Sequence, residues 1–367
     1  MEYEIDFLPV GEASSSGDAI CLRYSYDGDS WHVGVIDGGT QDSGEKLCQH
    51  IKKYYNTDTI DFLICTHPDQ DHASGLSVVL DELSVKKILI HCPWDYVDHF
   101  FDSVNDGRVT KESLRQRLID KHPYAYKIYE KALEQEIPIF HPFSDSNEHG
   151  IPALNIVGPS SDFYIKQVVN FRSITDVTED SDEEYDFVDT LVEAAKSVIN
   201  WIAETWDDEQ LVDPEEDATS SENNSSVITF FDFDGKKVLL TADAGVLALN
   251  NAADEIEHLG HELQSFTYIQ VPHHGSKRNI GPSILDRLVG APSILGSETT
   301  FFAVISAGKE GAPKHPNKRV VNAFSRRGAD VLATQGSTIH CFTSGTPDRG
   351  WGKAKPLPFY SEIEDDE

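Results

Sequence analysis

Positive charge is what this chain has least of. Thirty Lys and Arg stand against 63 Asp and Glu, a formal net charge of -33 at pH 7 over 367 residues, which excludes a basic-armed nucleic-acid coat protein. Long apolar runs are missing as well. Nowhere do about 18 apolar residues follow one another, and the opening MEYEIDFLPV lacks a cationic segment ahead of an apolar stretch. The expectation is a soluble, cytoplasmic protein with no membrane span. Cysteine is sparse: Cys21, Cys48, Cys65, Cys92 and Cys341 are odd in number, far apart and free of CxxC spacing. That argues against disulfide staples and cysteine zinc clusters and reads as buried free thiols. No repeat of fixed period is visible.

What is present suffices for a core. The apolar fraction is 39% before 25 glycines are added, in the range of globular domains and above that of disordered chains. The N-terminal part alternates β-rich runs with turns: IDFLP, AICLRYSY, then WHVGVID ending in Asp37-Gly38-Gly39. A helix is predicted over residues 45–55, followed by an apolar strand that stops abruptly in the polar residues 66–72, a helix over 75–82 and the strand KKILIH. Residues 95–136 have helical spacing and many charges and read as a helical insertion. Residues 171–222 carry 18 acidic and 2 basic side chains, a solvated run by its composition. Inside it Phe187, Leu191, Ala194, Val198, Trp201 and Ile202 form a stripe that predicts a docked helix with mobile flanks. From Val227 onward strands and helices alternate again.

Chemistry concentrates at strand ends. His67-Pro68-Asp69-Gln70-Asp71-His72 puts four ligand-type side chains into six residues. Imidazole and carboxylate suit zinc or manganese, and alternate residues of an extended turn can splay toward two ions. The bland alternative is a polar loop whose Asp71 caps the next helix. Asp243 ends the run Val238-Leu239-Leu240-Thr241; such a residue is commonly a turn or cap, yet a carboxylate there can bridge two metals. Val271-Pro272-His273-His274-Gly275-Ser276 again leaves an apolar strand, with Lys277 and Arg278 beside it, a combination suited to an anionic substrate. Its alternative is Ser276 as a helix cap with incidental histidines. Lys314-His315-Pro316 is a weaker fourth candidate.

The order of GDAI, IDGG, THPDQDHASGL, NNSSVITF, LLTADAG, VPHHGS, ISAGKEGAPKHP and ATQGSTIHCFT resembles the metallo-β-lactamase fold, specifically the hydrolase domain of bacterial competence DNA-uptake channel proteins. The resemblance covers most of residues 5–92 and 223–345. It implies an α/β protein, a four-layer αββα sandwich forming one domain over 1–347, with a helical insertion at about 94–150, an acidic insertion at about 171–222 and an acidic tail at 348–367. It further implies a metal-bound hydroxide as nucleophile and one or two divalent ions, zinc or manganese. Carried over by position, His67 and Asp69 would bind one metal, Asp71 and His72 a second, and Asp243 would bridge them. His273 looks like the last ligand, but His273 and His274 are not separable by position, and either could bind metal while the other contacts substrate. Asp71 has a second possible role in orienting water or shuttling its proton. His315 would contact substrate or support the site, and Asn224, Ser225, Ser276, Lys277 and Lys314 would line the substrate side.

Two departures bear on the metal. Asp69 replaces the second histidine of the broad superfamily, as in the competence branch, and Asn223-Asn224-Ser225-Ser226 stands where a third metal histidine is usual. An oxygen-richer site favours manganese or magnesium relative to zinc. The function implied is a phosphodiesterase or nuclease acting on DNA, with Lys277, Arg278, Lys314, Lys318 and Arg319 as local cations. A charge of -33 opposes extended polyanion binding and favours a strand end, a nucleotide or a cyclic dinucleotide. The alternatives are a hydrolase of a small acyl or lactone-type substrate, and a partner-binding module that uses the acidic insertion.

Overall fold

The computed structural model describes residues 1–11, 16–104, 109–146, 148–175, 200–308 and 315–365. The N-terminal half contributes strands β1 (Glu2–Phe7), β2 (Ala19–Ser25), β3 (Trp31–Gly38), β4 (Thr59–Ile60), β5 (Phe62–Cys65), β6 (Ser84–Val85), β7 (Ile88–Ile90), β8 (Ile139–Phe140) and β9 (Leu154–Gly158). The C-terminal half adds β10 (Asn200–Ala203), β11 (Ile228–Phe233), β12 (Lys236–Leu240), β13 (Phe266–Gln270), β14 (Phe301–Ile305), β15 (Ala329–Ala333), β16 (Ile339–Phe342) and β17 (Glu362–Asp365). They build a seven-stranded sheet in the order β16-β1-β2-β3-β5-β7-β8 and a six-stranded sheet in the order β15-β14-β13-β12-β11-β9. Each sheet is antiparallel on one side and parallel on the other: β3, β5, β7 and β8 run together, as do β12 to β15.

The layers follow from a period of two. In β2 and β5, Ile20, Leu22, Phe62 and Ile64 face the second sheet, where Phe231, Val238 and Val304 meet them. Their neighbours Ala19, Cys21, Leu63 and Cys65 face outward onto Leu47, Ile51, Leu76 and Leu80 of the covering helices. The second sheet repeats the device, with Leu239, Ile269 and Ala303 packed on Ala252, Leu285 and Phe324. Both faces of both sheets are therefore buried, which produces four layers, αββα. Each large apolar side chain so buried stabilises by roughly 1.5–3 kcal/mol.

Two glycines let the first helices close on the sheet. A Cβ on Gly75 would lie 2.0 Å from the Gly38 carbonyl oxygen, and one on Gly38 would lie 2.5 Å from the Leu76 nitrogen. Only hydrogen at both positions allows the helix Leu76–Glu82 to start against the end of β3, and this clamps the polar loop 66–75.

Some local expectations change. The first helix is Gln41–His50, starting four residues before the predicted 45 because Thr40 caps it by accepting from the Ser43 N–H, and residues Ile51–Tyr55 form a wider turn. Trp201 and Ile202 are not helical: they lie in β10, which pairs antiparallel with β17. A short apolar run has no helical period of its own once a distant strand offers backbone partners. The remainder of the predicted docked helix, residues 185–199, lies outside the described residues. The described flank of the acidic segment, from residue 200 onward, makes side-chain contacts to the body. Glu204 is buried and pairs with Arg326, Glu209 pairs with Arg327, and Asp213 accepts from the Ser283 N–H and hydroxyl. All five cysteines are buried free thiols. Among the described residues no helix is long and apolar enough to cross a membrane.

Candidate metal centre

Parallel strands deliver their carboxyl ends to one edge of the sandwich. There β3 ends at Asp37-Gly38, β5 runs into Thr66 and His67, β12 into Thr241, Ala242 and Asp243, and β13 into His273 and His274. Two backbone bonds stitch the loops together: Val227 N–H to Thr66 O at 2.9 Å, and His273 N–H to Ala242 O at 3.1 Å. Four non-glycine residues at this edge, Asp37, Ala242, His273 and His274, have positive φ. Such backbone costs on the order of 1 kcal/mol or more per residue and gathers where geometry is imposed by function.

The loops bring His67, Asp69, Asp71, His72, Asp243, His273 and His274 together. The Nε2 atoms of the four histidines lie 3.5 to 3.9 Å from the carboxylate oxygens of Asp243. His67 Nε2 is 3.8 Å from Asp69, and His274 Nε2 is 3.8 Å from Asp71. These separations exceed a hydrogen bond. They match ligands sharing an ion, since donors about 2.1 Å from a metal stand about 3–4 Å from one another. Nε2 of His67, His72 and His274 and Oδ1 of Asp243 are buried and make no hydrogen bond. Unpartnered buried polar atoms are rare and costly, and here they converge. Ligand-type atoms of Asp71, His72 and His274, and of Asp18, His72 and Asp243, lie within 4.8 Å of one another. The donor set therefore fits one or two divalent cations.

Helix capping does not account for the same residues. The turn Gln70–Ala73 has Asp69 at its cap position without a side-chain cap bond, and Asp71 sits inside it. No α-helix starts at Ser276; the next one, Pro282–Val289, begins after Gly281.

Electrostatics point the same way. Burial, with His72 adding to it, pushes His67 down to about 3. Burial and then the nearby Asp71 and Asp243 push Asp69 up to about 7. Burial opposes ionisation of Asp243, but the surrounding imidazoles, His273 foremost, hold it far below the carboxylate range. The carboxylates compete for the same positive charge, which a cation between them would supply.

The residues placed on the substrate side are more varied. His315 lies nearly parallel to His273, with ring centres 6.1 Å apart and 20° between planes. Asn224 is buried and donates to the Thr219 carbonyl, Ser225 donates to the Glu222 carbonyl, and Ser276 accepts from the Arg278 N–H. Ser225 also shares a hollow with Thr66, His67, His91 and Tyr164. Lys277 is half-buried and Arg278 exposed, whereas Lys314 lies outside the described residues. Lys318 and Arg319 are committed elsewhere: Lys318 lies 3.2 Å from the Glu364 carboxylate and over the Trp201 ring, and Arg319 donates to the Glu364 carbonyl. His149, buried, accepts from the Ile151 N–H.

Four positioning residues were not legible as such. Asp37, in the IDGG run, accepts from Thr66 and contacts His72 Nδ1 at 2.8 Å, which directs His72 Nε2 inward. Gln270 accepts from the Thr241 and Ala242 N–H groups and donates to Asp18, tying the two sheets at the site. Asn279 holds His273 Nδ1 at 3.0 Å. The only signal for Asp18 and Asp37 was their place in short motifs at strand edges, and Gln270 and Asn279 carried none.

No family model matches the chain. Over 130 residues it is 28% identical to ComE operon protein 3 of Bacillus subtilis (strain 168), a match covering 35% of this chain and 15% of that protein. Solved structures similar to it include the metallo-β-lactamase fold protein YhfI of Bacillus subtilis, 8% identical with a TM-score of 0.40, over 94% of this chain and 100% of that one. Zn(2+)-bound PqqB of Methylobacterium extorquens is 10% identical with a TM-score of 0.39, over 92% and 99%. The four layers, with the His- and Asp-bearing loops at one sheet edge, are the arrangement that the resemblance to the metallo-β-lactamase fold implies.

Proposed function

We propose that the protein is a metal-dependent hydrolase of phosphodiesters, with DNA strand ends and short nucleotides as its substrates. The observation that carries this reading is the convergence of buried, unpartnered imidazole nitrogens on the Asp243 carboxylate. His67, Asp69, Asp71, His72 and Asp243, with the His273-His274 pair, would hold the metal. Bound divalent ions would polarise a phosphoryl oxygen and make water available as a nucleophile near neutral pH. Asp71, whose side chain is 39% exposed, would meet incoming water and accept its proton. His315 would contact the substrate side. Zinc and manganese both suit the mixed donors, with manganese favoured by the three carboxylates. Five buried thiols are consistent with a reducing, cytoplasmic setting.

The charge distribution supports short substrates over long ones. Lys277 and Arg278 flank the histidine pair, while Lys318 and Arg319 are occupied by the β10·β17 ribbon, and the chain as a whole is strongly acidic. A role for the acidic insertion in binding a protein partner rests on composition alone.

The test is turnover with manganese or zinc of end-labelled single- and double-stranded DNA, a dinucleotide and bis-p-nitrophenyl phosphate, beside chromogenic esters, lactones and lactams. Cleavage confined to phosphodiesters upholds the proposal. Turnover of esters or lactones alone replaces it with the acyl-hydrolase reading that the same fold also supports.

A further inference from the structure

We propose that the adjacent His273 and His274 serve different ions: His273 completes the set of His67 and Asp69, and His274 completes the set of Asp71 and His72. The inference rests on the metal-centre reading above and assigns what the sequence leaves open. Asp243 separates the two sets. Its Oδ2 lies 3.7 Å from His67 Nε2 and 3.6 Å from His273 Nε2. Its Oδ1 lies 3.5 Å from His72 Nε2 and 3.9 Å from His274 Nε2. The outer carboxylates divide the same way, Asp69 with His67 and Asp71 with His274.

The backbone explains how neighbours in sequence reach opposite oxygens. His273 and His274 have φ of 45° and 55°, a left-handed pair that L residues rarely adopt in succession. Gly275 follows at φ 83°, and a Cβ there would lie 2.9 Å from Pro316, so this tight reversal is held against the chain next to His315. The two imidazoles end with ring centres 5.6 Å apart and planes at 74°.

The orientation of the His273 ring is set by two side-chain amides. The Asn279 amide nitrogen donates to the Asp243 carbonyl at 2.8 Å, which turns its oxygen to His273 Nδ1 at 3.0 Å. The Asn223 amide nitrogen stands 3.2 Å from the same Nδ1. With Nδ1 held between them, Nε2 is turned toward Asp243. Asparagine at 223, where the resemblance leads one to expect a ligand histidine, thus acts as a positioning residue for an imidazole supplied by another loop. Asn279 is a positioning residue of the same kind.

The experiment counts ions bound per full-length chain after stripping and equilibrium dialysis against manganese or zinc, with circular dichroism confirming that each variant is folded. The wild type should hold two ions, and His273→Ala and His274→Ala one each. His273→Ala combined with Asp69→Asn should still hold one, because both changes empty the same site, whereas His273→Ala combined with Asp71→Asn should hold none. Asn279→Ala should weaken one ion selectively, seen as loss of the exchange-coupled manganese resonance in favour of an isolated ion. If the two double variants bind equally, or if His273→Ala keeps both ions, the division is wrong while the metal centre stands. A wild type that holds a single ion also overturns the division, and one that holds none removes the metal-centre reading itself.

Discussion

Two buried clusters in this molecule contain the same kinds of side chain and are built for opposite ends. Around Asp243, Nε2 of His67, His72 and His274 and Oδ1 of Asp243 itself are buried and unmatched, with Asp69 and Asp71 each 3.8 Å from one of these imidazoles. Around Asp6 on β1, the ligand-type atoms of Asp6, Cys21 and His50 also lie within 4.8 Å of one another, but the chain supplies its own cations. Arg349 donates to both Asp6 oxygens at 2.9 and 3.1 Å, Tyr55 donates at 2.7 Å, and His50 stands 3.1 Å away. Arg23 pairs with the neighbouring Glu4, which Arg349 also contacts. The difference teaches that closeness of His, Cys and Asp does not define a metal site. What defines it is whether the neutralising charge comes from the chain or has to come from outside.

Substitution should break the comparison along that line. Asp243→Ala should abolish ion binding and lower kcat/KM for a phosphodiester by about a thousandfold or more, measured by dialysis and steady-state turnover, with the unfolding midpoint of the metal-free chain little changed. Asp6→Ala should do the reverse. It leaves Arg349 with Glu4 as its carboxylate partner and the buried Tyr55 hydroxyl without its Asp6 acceptor, costing about 1–3 kcal/mol in denaturant unfolding, while the ions bound per folded chain stay as in the wild type.

A third environment sharpens the contrast. His122 sits against Phe171 in the helical region, and burial, with nearby Arg172 adding to it, lowers it to about 4. Its folded pKa lies below the unfolded value near 6.5, so the unfolded chain binds the proton more readily between these values. Stability is present above pH 6.5 and is lost as pH falls toward 4, by roughly 2–3 kcal/mol for this group. Denaturant unfolding of the metal-free chain from pH 7 to 4 should show it, and His122→Phe should flatten that slope.

Smaller effects test the supports. Asp37→Asn should weaken ion binding by about 10–100-fold without removing a ligand, because it loosens the orientation of His72; isothermal titration would read it. Glu364→Gln should release Lys318 and raise affinity for long single-stranded DNA by a few-fold at low salt, leaving turnover of bis-p-nitrophenyl phosphate unchanged.

Legibility in the sequence followed the range of the forces involved. The strands of both sheets were readable because Ile20, Leu22, Phe62 and Ile64 alternate with partners on the other face. The residues proposed as ligands, between 67 and 72 and at 243, 273 and 274, stand out in the sequence because dense polarity breaks off an apolar strand. The supports do not: Gln270 meets Asp18 across 252 positions, and no local pattern marks an amide or carboxylate that acts through another residue. Trp201 and Ile202 misled for a related reason, since their strand is made by β17, some 160 residues away. The division of His273 from His274 depends on two successive positive φ values, a property of the folded backbone that the letters HH do not carry.

The most direct test of the central claim is an anomalous difference map from crystals of the protein soaked in manganese. The account predicts density on both sides of the Asp243 carboxylate, one peak by each oxygen, and none between Asp6, Cys21 and His50. A peak at Asp6, or a map without density at Asp243 although the loops are ordered, would contradict it.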